Sequence, residues 1–150
     1  MKKSTIDLGA VDINSEFKQA FAEIEQTRKH VFITGKAGTG KSTFLKFFRA
    51  ETRKKVVVLA PTGVAAVNIQ GQTIHSFFNF RPDITVDLIR TLRISRAMAK
   101  LYRNLDTIII DEISMVRADL MDCVDAFLRI YGPRAAEPFG GVQMIFIGDM

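Results

Sequence analysis

Apolar residues recur at helical spacing through Phe17, Ala20, Phe21 and Ile24, with Asn14 or Ser15 placed to cap the first turn. This predicts a helix over about 15–28. A short β-rich run comes next, Val31-Phe32-Ile33-Thr34, then a glycine-rich turn, then a second helical pattern in Phe44, Leu45, Phe47 and Phe48. Val56-Val57-Val58-Leu59-Ala60 is continuously apolar between Lys55 and Pro61, and Ile108-Ile109-Ile110 and Met144-Ile145-Phe146-Ile147 repeat the type. Runs of this kind read as strands buried on both faces, as in parallel sheets. Two long helices are predicted between them. Ile94, Ala97, Met98, Leu101 and Leu105 make the apolar stripe of the first, opposite an arc of Arg90, Arg93, Arg96, Lys100 and Arg103. Val116, Leu120, Val124, Phe127 and Tyr131 make the buried face of the second.

Strands alternating with helices imply βαβ units, hence an α/β fold with a parallel sheet covered on both faces. Residues 1–14 read as a polar leader and 15–150 as one domain, with 132–141 a surface loop into the last strand. The chain stops at Gly148-Asp149-Met150, at the end of that strand, which predicts a domain truncated on its C-terminal side. Met144–Ile147 would then lack covering elements, an aggregation-prone arrangement.

Composition changes this picture little. A chain of 150 residues that is 47% hydrophobic and 25% charged can build one domain with a core. No stretch approaches the roughly 20 consecutive apolar residues of a membrane-spanning helix, so no membrane partner is expected. Met1-Lys2-Lys3-Ser4 is basic, but Asp7 and Asp12 interrupt the segment after it, so no signal-peptide apolar region forms. The lone Cys123 cannot form an intramolecular disulfide and suits a reducing cytoplasm; among Met121, Val124 and Phe127 it reads as a small buried hydrophobe. The net charge of +5 favours a polyanionic partner.

The chemistry begins at Gly35-Lys36-Ala37-Gly38-Thr39-Gly40-Lys41-Ser42, which fits G-x-x-x-x-G-K-[ST] at every position. Glycines let the backbone wrap a phosphate so that successive N–H groups form an anion nest. Lys41 is placed to reach the β- and γ-phosphates of ATP and the Ser42 hydroxyl to ligate Mg²⁺, with Thr43 completing the nucleotide-contacting set. A helix opening at about Ser42 aims its positive end at the same phosphates. The loop comes after a predicted strand and opens a predicted helix, the context that separates it from an ordinary glycine-rich turn.

Ile108-Ile109-Ile110-Asp111-Glu112 delivers two carboxylates at the end of an apolar strand. Asp111 is the candidate second Mg²⁺ ligand, and Glu112 the candidate base that orients and deprotonates the attacking water. An Asp-Glu pair after a strand also serves as a plain helix cap; its place within the same βαβ pattern as Lys41 favours hydrolysis.

Further segments narrow the class. Ala60-Pro61-Thr62-Gly63-Val64-Ala65-Ala66 leads through Gly71-Gln72-Thr73-Ile74-His75-Ser76-Phe77-Phe78. Asp111-Glu112-Ile113-Ser114-Met115-Val116 is next, then Gly140-Gly141-Val142-Gln143 and Phe146-Ile147-Gly148-Asp149. With Gly35–Ser42, and in this order, they resemble motifs I, Ia, Ic, II and the start of III of the PIF helicases, in the RecD-like branch of helicase superfamily one. The resemblance runs from about residue 16 to the end. It implies a RecA-like P-loop NTPase domain that couples ATP hydrolysis to 5′-to-3′ movement on single-stranded DNA. It also implies that Pro61, Thr62, Gly63, Thr73, His75 and Phe77 lie near that strand. Hydroxyls and an N–H can hold phosphates, and His75 and Phe77 can stack on bases. The residue types alone also allow a structural histidine at 75 and a core phenylalanine at 77, and for Phe78 the core is the better reading. The basic arc at 90–103 reads as a solvated helix face.

The family's adenine-reading Glu-Gln pair is replaced here by Glu16-Phe17-Lys18-Gln19, which leaves the adenine contact unassigned. The family's second RecA-like domain and its arginine finger lie beyond the given sequence, so this chain is expected to bind Mg-ATP, hydrolyse it slowly and not unwind DNA. A loader-type P-loop ATPase is the competing enzyme reading, disfavoured by the APTGVAA and TIHSFF segments. A non-catalytic nucleotide- or DNA-binding fragment is the third. Oligomeric state is left open.

Overall fold

The computed structural model describes residues 3–7, 13–34 and 40–148. The chain runs β1 (Lys3–Asp7), α1 (Ile13–Gln26), β2 (His30–Thr34), α2 (Lys41–Glu51), β3 (Val56–Ala60), α3 (Gly63–Asn68) and β4 (Gln72–Thr73). It continues through α4 (Ile74–Phe78), α5 (Val86–Thr91), α6 (Arg96–Arg103), β5 (Thr107–Ile110), α7 (Ala118–Tyr131) and β6 (Gln143–Gly148). Among the described residues six strands form one sheet in the order β1-β2-β6-β5-β3-β4, and every pairing is parallel.

Alternation along the strands builds two cores. Val31 and Ile33, Val58 and Ala60, Ile109, and Ile145 and Ile147 face α1 and α2, where Phe17, Ile24, Phe44 and Phe48 cover them. Leu59, Ile108, Ile110 and Met144 face the other way, towards α4 to α7. That second core is aromatic: Phe78 stacks on Tyr102 at 5.8 Å, and Phe127 meets Tyr102 edge-on at 4.8 Å. The expected α/β fold with helices on both faces is present.

Several local expectations need correction. The segment read as a polar leader supplies β1, an edge strand paired with β2 from Lys3 opposite His30 to Asp7 opposite Thr34. A polar strand with a lysine suits a sheet edge, where hydrophobic periodicity gives no signal. Helix α1 begins at Ile13, so Asn14 and Ser15 lie inside its first turn instead of capping it. The single long helix expected over the 90–105 stripe is two short ones. Leu92–Ser95 breaks it, with Ser95 accepting from the Met98 N–H to cap α6. The stripe is only partly buried: Leu105 is, whereas Met98 and Leu101 are exposed and Tyr102 fills the core from α6.

The last strand is also unlike its expectation. β6 lies in the middle of the sheet, paired with β2 on one side and β5 on the other. Met144, Ile145 and Ile147 are fully buried. A right-handed parallel crossover can insert a late strand between earlier ones, so the last strand here is not an edge. The helix expected from about Ser42 starts at Lys41, and Cys123 is buried, with burial and then Asp119 and Asp122 pushing its thiol pKa up.

Behind the sheet, at the strands' N-terminal ends, a polar network locks the core. The Gln143 carboxamide donates to the carbonyls of Ile24, Thr27 and Lys29 at 3.2, 3.2 and 2.8 Å. Its oxygen accepts from the Thr107 hydroxyl at 2.8 Å and from Lys54 Nζ at 3.0 Å. Lys54 also donates to the Ile24 and Thr27 carbonyls. Burial lowers the Lys54 pKa, opposed by Glu25 and Asp106.

Candidate functional site

All six strands point the same way, so the loops after β2, β3 and β5 emerge on one edge, where open α/β sheets place their sites. Gly35, Lys36, Ala37, Gly38 and Thr39 lie outside the described residues, as does Asp149. The described part of the nucleotide loop is its exit into α2. Gly40 is the residue before that helix and has φ +94°, a left-handed conformation that favours glycine. A Cβ there would also stand 3.2 Å from the Phe17 ring. The backbone therefore demands glycine, while a Cβ would need the Phe17 ring to give by a few tenths of an ångström.

Helix α2 has no side-chain cap and no acidic residue in its first turn. Among the described residues no carboxylate of the helix's own first turn faces its positive end, and Lys41, half-buried, adds a cation at the same place. Ser42 and Thr43 are exposed on that first turn. Gln19 is exposed on α1.

The acidic pair sits two strands away. β2 and β5 are separated by β6 alone, which sets them about 10 Å apart at ordinary strand spacing. Asp111 comes directly after β5, and its N–H donates to the Leu59 carbonyl at 2.9 Å. Its side chain is buried, and Oδ1 has no hydrogen-bond partner among the described residues. A buried carboxylate oxygen without a donor is costly, and a cation is the partner its chemistry suits. Mg²⁺ sites typically combine one or two protein oxygens with substrate phosphates and water, so Asp111 and the Ser42 hydroxyl fit such a site.

Glu112 is half-buried and takes φ 54° and ψ 45°. A non-glycine residue in that region carries on the order of 1 kcal/mol of strain. The strained turn drops directly into a single 3₁₀ turn, Ile113–Met115, instead of continuing the strand. Gly148, which closes β6, packs against that turn: a Cβ there would stand 2.8 Å from Ile113 Cγ2.

A second feature lies beside the first. Pro61, His75, Pro82, Ile84, Met115, Arg117, Asp119 and Leu120 line a groove of about 380 Å³. It gathers the ends of β3 and β4 with the segment after Glu112. Of the expected DNA-facing residues, Pro61 and His75 line it. Thr73 closes β4 opposite Ala60 and Thr62 stands two residues beyond the end of β3, and each hydroxyl caps its helix, accepting from the Ser76 and Ala65 N–H respectively. Gly63 opens α3 and is exposed. Phe77 is a correction. It is 8% exposed, meets Phe78 and Tyr102 edge-on at 4.9 and 5.4 Å, and presents no face for a base. Helical periodicity could have placed it, since Ile74, Phe77 and Phe78 share the inner side of α4.

Met115, 58% exposed, and Arg117 join the groove without having been singled out as contacts. Arg117 pairs with Asp119 at 3.2 Å in solvent, a weak interaction. A lone arginine after an acidic motif carries no sequence signal of its own. No helix among the described residues is long and apolar enough to cross a membrane.

Comparison with known proteins bears on this edge of the sheet. The PIF1-like helicase family matches residues 12–150. The ATP-dependent DNA helicase PIF5 of Trypanosoma brucei brucei is 42% identical over 127 residues, covering 81% of this chain and 14% of that protein. The ATP-dependent DNA helicase PIF1 of Saccharomyces cerevisiae is 36% identical over 142 residues, covering 90% of this chain and 16% of that protein. The crystal structure of a Pif1 helicase from Bacteroides, in complex with ADP-AlF3 and ssDNA, superposes with a TM-score of 0.81 at 40% identity. That match covers 93% of this chain and 33% of the other. The chain thus spans a third or less of the length of these relatives. It is a member of the PIF1-like helicase family.

Proposed function

We propose that this chain is the nucleotide-binding motor domain of an ATP-dependent DNA helicase that moves 5′ to 3′ on single-stranded DNA. The observation that carries the reading is the buried Asp111 Oδ1, without a hydrogen-bond partner among the described residues, set across one strand from the start of α2. An apolar strand end has no structural use for that oxygen, whereas a phosphate-bound cation does.

In this reading Gly35–Gly40 and the first amides of α2 wrap the phosphates, with Lys41 neutralising the β- and γ-phosphate oxygens. Ser42 and Asp111 hold Mg²⁺, which supplies charge neutralisation on those same oxygens. Glu112 orients a water in line with the γ-phosphorus and accepts its proton as the bond to the β-phosphate oxygen breaks. The strained backbone at Glu112 fixes where its carboxylate stands. Single-stranded DNA crosses the neighbouring groove at Pro61 and His75. Thr62, Gly63 and Thr73 contact its phosphates from the ends of β3 and β4. Because the Glu112 turn carries on into Met115 and Arg117, one backbone segment touches both sites, a route by which nucleotide state can reach the strand. The 150-residue chain by itself binds Mg-ATP and turns it over slowly.

A fluorescent ATP analogue titrated with and without Mg²⁺ tests this. Lys41→Ala should abolish binding; unaltered affinity would refute the site. Glu112→Gln should retain affinity and lose hydrolysis, and surviving turnover would move the base elsewhere.

A further inference from the structure

The basic residues are unevenly spread. Residues 86–106 carry Arg90, Arg93, Arg96, Lys100 and Arg103 against two acids, Asp87 and Asp106, and the Asp106 carboxylate accepts from the Lys55 N–H at 2.8 Å. Among the described residues the ion pair of this stretch is Arg90 with Asp87 at 3.9 Å, both well exposed. A solvated helix face accounts for the charges but not for the residues that lie among them. α6 turns apolar side chains outward, Met98 at 38% and Leu101 at 47% exposure. A groove of about 550 Å³ runs beside it, lined by Val56, Leu101 and Leu105 together with Lys55 and Lys100. Val56 opens β3 and Leu105 leads into β5, so this groove lies at the strands' N-terminal ends, on the sheet edge opposite Asp111 and Pro61.

We propose that this groove docks an acidic amphipathic segment of a partner protein. Apolar anchors on one face of the segment would fill the space between Leu101, Leu105 and Val56. Carboxylates flanking those anchors would meet Lys55, Lys100 and the arginines of α6, where charge complementarity steers association and sets orientation. A nucleic-acid backbone would satisfy the charges but would leave the apolar lining against water, so the lining decides for a peptide. With the two sites on opposite edges, partner and DNA can be held together.

The test uses the intact chain and a fluorescein-labelled helical peptide with leucines on one face and glutamates along both edges of that face. Saturable binding is expected, weakening as salt rises and undisplaced by an oligo-dT strand. Leu101→Glu and, separately, Lys100→Glu should each weaken it by about tenfold, in proteins whose melting curves match the parent. A control peptide with serine in place of leucine should bind at least tenfold less tightly. Equal binding of the serine peptide would overturn the proposal by reducing the groove to a charge patch. Displacement by oligo-dT would overturn it in favour of a nucleic-acid surface. Since Lys100 is exposed, unchanged binding by folded Lys100→Glu would overturn it as well.

Discussion

The Asp111 N–H donates to the Leu59 carbonyl at 2.9 Å, which fastens the acidic turn to β3 where the Asp111 side chain leaves Oδ1 unpartnered. The turn cannot shift to relieve the carboxylate without breaking the ladder that ends at Leu59 opposite Ile110.

Asp111→Asn tests that relationship. Removing the buried charge should raise stability in the absence of Mg²⁺ and nucleotide, by about 1 kcal/mol given the cost of an unsatisfied buried polar group. The same variant should lose the Mg²⁺ dependence of nucleotide binding. Melting curves in EDTA and analogue titrations with Mg²⁺ read the two effects separately. A destabilised variant with intact Mg²⁺ dependence would make Asp111 structural.

His75 and Phe77 should separate binding from folding. His75 lines the groove beside Pro61, so His75→Ala should weaken single-stranded DNA binding several-fold with little change in melting temperature. Phe77 is buried against Phe78 and Tyr102, so Phe77→Ala should cost about 3–5 kcal/mol through the cavity it leaves. Anisotropy with labelled oligo-dT and denaturant melts check both.

Gln143 ties the end of α1 to the start of β5 and β6. Gln143→Ala would strand the Thr107 hydroxyl and the Lys29 carbonyl, while Lys54 Nζ still serves the Ile24 and Thr27 carbonyls, and should cost about 2 kcal/mol. Nucleotide affinity at the opposite sheet edge should stay within about twofold. Chemical denaturation and analogue titration would reveal any coupling between the two ends.

Tyr102 gives an alkaline signature. Its hydroxyl donates to the Phe77 carbonyl at 2.6 Å, and burial raises its pKa above the ordinary value of 10.0. The folded state therefore holds the proton more tightly than the unfolded chain. This contribution is complete below about pH 10 and is lost as pH climbs through the folded-state value. Lys54, whose pKa is lowered from 10.5, acts oppositely and gains stability as pH rises through the window just below 10.5. Tyr102→Phe should cost about 1 kcal/mol at neutral pH and flatten the decline above pH 10. Melts from pH 8 to 11 compare the two proteins.

The sequence by itself determined the local parts. The apolar runs at Val56–Ala60 and Ile108–Ile110, the glycine-rich exit into Lys41 and Ser42, and the acids after β5 are set by neighbours along the chain. Hydrophobic period and turn chemistry act over a few residues. It also carried the family, because motif order is itself linear. Tertiary structure decided the features that depend on distant partners. That β6 threads between β2 and β5, setting Asp111 across a single strand from α2, is a choice among pairings that equally apolar strands leave open. That Phe77 faces Tyr102 instead of solvent depends on where α6 lands. So does the break at Leu92–Ser95, which turns a predicted stripe outward as Met98 and Leu101. β1 and the Gln143 network are polar, and polar groups announce no partner in sequence. Their bonds exist only once strands and helices from across the chain have met.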